Sequence, residues 1–281
     1  MSHSHHSHPA VLLLVTALLC LAFLAPEVDA NVQENSDRSL TPLQLEIEKQ
    51  KNRLNSVEVE ERRDAISRLG SLHHPSASRA ALAGLKDSAA IVRVTAANAV
   101  LYLPAEESAL SLLPLLNDKD EFVRQEIAYA LGKTRSRTAA ASLGELLGRE
   151  KKDGVRAAII VALGDIGDES SVVALAQVLR PELAATTAKK RSKKKENLLV
   201  RRAAAHSLGQ IGNRAAVPAL LAALQDQEEE SDVRREAATA LGLIGDKAAL
   251  PALNGLSDAE DPYLSRAALE ASRRISLNGA P

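Results

Sequence analysis

The chain of 281 residues has little of what most recognisable chemistry requires. It carries one cysteine, Cys20, no tryptophan, three tyrosines and two phenylalanines, so aromatics make up 2% of the sequence. A lone cysteine excludes an intramolecular disulfide and a structural zinc site built on several thiolates. Scarce aromatics make a base-stacking platform a poor expectation. Neither sign of charge dominates: 35 basic side chains face 36 acidic ones, which removes the global argument for nucleic acid as a partner. Of seven histidines, His3, His5, His6 and His8 crowd the start, leaving His73, His74 and His206. Neighbouring His73 and His74 do not readily converge on one metal, and three scattered imidazoles leave little for a catalytic triad. Gly132-Lys133-Thr134 has the ending of a P-loop, but Ile127 stands where that motif needs glycine. The expected cofactor and metal sets are therefore empty, and no catalytic residue is assigned.

A membrane-length apolar run is also missing. Val11 to Ala25 gives fifteen consecutive residues interrupted only by Thr16, against about 20 for a spanning helix. The run fits the apolar core of a secretory signal peptide, ended by Pro26, with Val28-Asp29-Ala30 as the cleavage site. Histidines replace the usual basic residues ahead of it, so an uncleaved anchor is the alternative. Lipoprotein processing at Cys20 is disfavoured by bulky Leu19. Cleavage after Ala30 removes thirty residues from 281 and leaves 251, without cysteine and without a membrane span. A secreted or periplasmic location is the expectation.

What the sequence does contain is 46% hydrophobic residues arranged as an internal repeat. Val200–Leu224, Val233–Leu256 and Val155–Leu179 share a Val-Arg start, an Ala-rich stretch, Leu-Gly, a second glycine and a Leu-rich run; Val123–Leu147 and Val92–Leu116 are looser copies. The marker arginines Arg62, Arg93, Arg124, Arg156, Arg201 and Arg234 are separated by 31, 31, 32, 45 and 33 residues, so one interval carries an insertion. Ser265 takes the arginine position in a final half-unit. Within one unit Val200, Ala204, Leu208 and Ile211 form an apolar helical stripe. Gly209 and Gly212 close that helix with close packing and a left-handed turn. Asn213, like Asp168 and Asp246, is placed to cap a second helix carrying Pro218 or Pro251 in its first turn. Two such helices cannot bury both stripes alone, so units must stack.

The units resemble HEAT repeats, in particular the short, Ala-rich type of phycobilisome lyase-like proteins. The resemblance implies an all-α solenoid of about six and a half two-helix repeats over residues 57–276, behind a signal peptide (1–30) and a polar tether with a capping helix (31–56). Residues 277–281 form a tail. Thr41-Pro42-Leu43-Gln44 reads as the capping box of that first helix. HEAT repeats stack acids and arginines in a ladder, and Asp87/Arg93, Asp118/Arg124, Glu150/Arg156 and Glu228/Arg234 each stand six residues apart. At Arg201 the corresponding residue is Lys195, so the ladder is expected to fail there. These arginines are read as structural. Iron-binding HEAT hydroxylases use His-Glu dipeptides, which this sequence lacks.

The insertion, 181–197, contains Lys189, Lys190, Arg191, Lys193, Lys194 and Lys195, six cations in seven residues. It is a candidate loop for an anionic partner. Against that, the acidic turn Asp226–Asp232 of the following unit lies about one repeat spacing away, about 10 Å, near the screening length, and could neutralise it. The expected function is a monomeric, non-catalytic scaffold or adaptor of the cell envelope that binds a protein or peptide. Second-helix positions Ala80, Ser111, Ser142, Ala174, Ala219 and Ala252 are expected to form its smooth lining. The competing readings are a bilin-lyase-like enzyme and an envelope module gripping anionic polymer; chromophore binding and salt-sensitive polymer binding tell them apart.

Overall fold

The computed structural model describes residues 40–181 and 196–278. The expected signal peptide and cleavage site, most of the tether, the run 189–195 and the last residues of the tail lie outside them. The backbone divides into two compact units, residues 1–45 and 46–281. In the first, the described residues open helix α1 (Pro42–Arg53) with the expected capping box: Thr41 N–H donates to Gln44 Oε1 at 2.8 Å and Gln44 N–H to Thr41 Oγ1 at 3.3 Å.

In the second unit the described residues have only helices as regular structure. First helices α2 (Val59–Ser71), α4 (Ala90–Ala99), α6 (Glu121–Thr134), α8 (Asp153–Ile166), α10 (Leu198–Ile211), α12 (Ser231–Ile244) and α14 (Pro262–Asn278) alternate with second helices. The second helices are α3 (Pro75–Ala81), α5 (Ala105–Leu112), α7 (Thr138–Arg149), α9 (Val172–Leu179), α11 (Val217–Gln225) and α13 (Leu250–Asn254). Each first helix packs on the next from α2 to α14, giving the expected α-solenoid of six pairs and a half-unit.

Small side chains explain the regularity of the first-helix layer. A Cβ on Gly209 would lie 2.8 Å from Ala240 Cα, and one on Gly242 2.8 Å from Ala271 Cα, so glycine facing alanine lets successive backbones approach. Gly132, the glycine of the P-loop-like tripeptide, makes the same contact with Ala162 at 2.9 Å. Burial of apolar side chains then drives stacking: Val155, Ala158, Ile159, Ile160, Ala162 and Leu163 of α8 are all buried. Buried hydroxyls are satisfied across the seams, as where Ser207 Oγ donates to the Ile160 carbonyl at 2.9 Å.

Turn chemistry follows the sequence. Gly167, Gly212 and Gly245 end α8, α10 and α12 at φ of 70°, 74° and 75°. Asp168, Asn213 and Asp246 each accept a backbone N–H two residues on at 2.9 Å. They cap a short 3₁₀ turn that leads into the second helix, one turn earlier than a simple helix cap.

Candidate functional site

The inter-repeat turns carry the ladder, which runs between neighbouring units. Arg62, Arg93 and Arg124 each bond the acid of the following turn, 25 or 26 residues ahead. Arg62 binds Asp87 through Nε and Nη2 at 2.6 and 2.9 Å, and Arg93 binds Asp118 at 2.7 and 2.8 Å. Arg124 reaches Glu150 at 2.8 Å. The residue six places before contributes its carbonyl instead: Arg93 Nη1 donates to Asp87 O and Ser88 O, and Arg124 Nη1 to Asp118 O. Each acid also accepts backbone N–H groups opening the next helix, such as Ala89 on Asp87 and Asp120 on Asp118. One arginine thus ties two successive turns together.

The protonation equilibria reflect this. Hydrogen bonds from Arg62 hold Asp87 below the usual carboxylate range. Burial pushes Asp118 and Glu150 up, but the arginine bond and backbone donors outweigh it and leave both lowered. Arg124 is raised in turn by its bond to Glu150.

Two ladder assignments need correction. At the last full repeat the buried acid is Glu229 rather than Glu228: it accepts from Arg201 Nη2 at 2.7 Å and its side chain is 1% exposed. Arg234 donates to the Leu224 carbonyl at 3.0 Å. Nor does the ladder fail at the insertion. Arg156 bonds Glu196 at 3.0 Å, and Arg201 Nη1 donates to the Glu196 carbonyl. Arg180, the last residue of repeat four before the insertion, bonds Asp226 at 2.8 Å. The insertion therefore leaves and rejoins the array at clamped points, with the register kept. Glu196 and Glu229 stand five residues before their repeat's arginine rather than six, and that shift hid them.

A second feature lies on the first-helix face. A groove of about 360 Å³ runs across four consecutive first helices, α6 to α12. Its floor is apolar, from Ala157 and Val161 of α8 and Leu199 and Ala203 of α10. Tyr129 stands at one side, and Arg202, His206 and Glu236 supply polarity. His206 Nδ1 lies 2.8 Å from Glu236 Oε1.

The sequence matches the family described as HEAT repeats over residues 78–164, 109–190 and 185–273, most of the chain. It belongs to the HEAT-repeat family. No curated protein matches it significantly. Among solved structures it is similar to the complex of CpcE and CpcF of phycocyanin lyase from a Nostoc species, at 23% identity over 85% of this chain and 96% of that one, with a TM-score of 0.49. Human deoxyhypusine hydroxylase in complex with glycerol matches at 21% identity over 83% and 96%, with a TM-score of 0.36. An engineered protein matches at 19% over 82% and 68%, with a TM-score of 0.49. At these identities the likeness extends to the fold alone.

Within the HEAT array the positions of the expected second-helix lining are partly covered. Ala80, Ser111, Ser142, Ala174 and Ala252 are half-buried, and Ala219 is buried. His74 is a cap, its Nδ1 accepting from Ser76 N–H at 3.2 Å, and His73 packs its ring 4.5 Å from that of Tyr102. Among the described residues no group of three His, Cys, Asp or Glu side chains converges as a metal site, and no helix is long and apolar enough to cross a membrane.

Proposed function

We propose that the HEAT array is a non-catalytic scaffold or adaptor of the cell envelope, exported through residues 1–30 and binding a protein or peptide partner. The groove across α6, α8, α10 and α12 carries this reading. It combines an apolar floor with a few polar groups at its edge, the composition of a recognition cleft, on a layer of helices made stiff by Gly–Ala seams and the arginine ladder. Rigid presentation lowers the ordering cost of binding. The experiment is site-specific photo-crosslinking in the exporting cell, with the photoreactive residue at Ala203 in the groove or at Val173 on the second-helix face. A discrete adduct of one mass at Ala203 and none at Val173 supports the reading. Adducts at Val173 alone would move the binding surface to the other layer. N-terminal sequencing should find Asn31 first; residues 1–30 retained on a membrane-bound protein would reject export by cleavage.

A second reading assigns an anionic partner to the loop Lys189, Lys190, Arg191, Lys193, Lys194 and Lys195. One observation favours it over neutralisation by the acidic turn: Glu229 and Asp232 of that turn are engaged by Arg201 and Arg235 of the repeat body. Retention on an anionic resin lost in the triple variant Lys193→Gln, Lys194→Gln, Lys195→Gln supports it; unchanged retention removes it.

A further inference from the structure

The position that follows the ladder arginine is itself an arginine in three repeats, and in two of them it is neutralised inside the array. Arg63 bonds Glu60 at 2.6 Å and Asp64 at 3.1 Å. Arg235 bonds Asp232 at 2.7 Å and Asp261 at 2.9 Å, and lies over the Tyr263 ring at 5.3 Å. The third, Arg202, makes no ion pair or hydrogen bond among the described residues, and it lines the groove. The cause is one residue. Glu60 and Asp232 stand three places before their arginines, one helical turn away, where such pairs form readily. In α10 that place holds Leu199, which is 45% exposed. Among the described residues the only carboxylate lining the groove, Glu236, is turned to His206. The repeat has thus exchanged an internal counter-ion for an exposed aliphatic side chain at the point where the floor of Ala157, Val161 and Ala203 is apolar.

We infer that this groove selects a partner segment bearing a carboxylate beside an aliphatic side chain. The carboxylate pairs with Arg202, whose planar fork of donors suits two parallel bonds, and the aliphatic group covers Leu199 and the floor. An ion pair formed against an apolar floor is less screened than one on open surface. The inference rests on the scaffold reading and adds the chemistry of the segment bound.

The test uses the mature chain and two fluorescein-labelled peptides, one of repeated Leu-Leu-Glu and its twin with Gln for Glu, followed by anisotropy at low and moderate salt. The wild type should bind the Glu peptide about tenfold more tightly than the Gln peptide, a gap that narrows as salt rises. Arg202→Gln should remove the preference, bringing the two peptides to the same affinity. Leu199→Glu, which restores the counter-ion of the other repeats on an exposed site, should weaken Glu-peptide binding to a similar extent. Far-ultraviolet circular dichroism should show native helicity in both variants. Equal affinity for the two peptides, both weakened by Ala203→Trp, would overturn the carboxylate preference and leave the groove a peptide site. Absence of binding by either peptide, or binding indifferent to Ala203→Trp, would overturn the inference outright, with the scaffold reading then standing or falling on the crosslinking result.

Discussion

The two helical layers of the array are built to different tolerances. In the first layer, α8 buries nine of its fourteen residues, because it is enclosed by α6, α10 and the second helices. Its successor in the second layer, α9, buries three of eight. Glycines tell the same story. Those of α6, α10 and α12 touch the backbone of the next helix, whereas Gly144 and Gly148 of α7 face open space. Tight packing and the arginine ladder are two ways of fixing the spacing between repeats, one through shape and one through charge.

The largest effect should come from the ladder where it is most buried. Glu229→Ala leaves the Arg201 guanidinium, 7% exposed, without its counter-charge, and should destabilise by about 3 kcal/mol or more in urea unfolding. Next comes the same chemical change made in both layers. Gly209→Ala forces α10 away from α12 and should cost about 1–3 kcal/mol despite alanine's better helix propensity. Gly144→Ala meets nothing and should stabilise by about 0.5–1 kcal/mol. Opposite signs sharpen the contrast between layers; equal signs break it.

The pH response separates charge from shape. Asp87, Asp118 and Glu150 have lowered values in the folded chain, so the unfolded chain binds their protons more readily. The stability they supply is present above the unfolded values of about 3.9 for Asp and 4.3 for Glu, and is lost as pH falls through the folded ones. Acid titration of urea stability should show this decline below about pH 4. Asp118→Asn should be less stable at neutral pH and show a smaller decline. A variant as steep as wild type would mean that acid denaturation arises outside the ladder.

Much of this architecture was legible in the sequence, because a repeat shows its own alignment. Gly212, Asn213 and Pro218 recur in equivalent places and do what their chemistry requires. The ladder was legible only in part. A six-residue spacing finds Asp87, Asp118 and Glu150, but it passes over Glu196 and Glu229, which stand five residues before their repeat's arginine. In the second helices the row Ala80, Ser111, Ser142 marks equivalent positions, but periodicity alone does not give their exposure, and they are half-buried. Arg202 was missed because its significance lies in a difference between repeats, Leu199 in place of Glu60 and Asp232, and not in any motif.

The layer contrast is most directly measured by amide hydrogen exchange on the full chain under native conditions. Amides of α8, α10 and α12 should be the best protected, those of α9, α11 and α13 should exchange sooner, and opening should begin at the first repeat, Arg62–Leu85, whose copy of the pattern is the most degenerate. Second helices protected as strongly as their first-helix neighbours, or a first repeat protected above the rest, would contradict it.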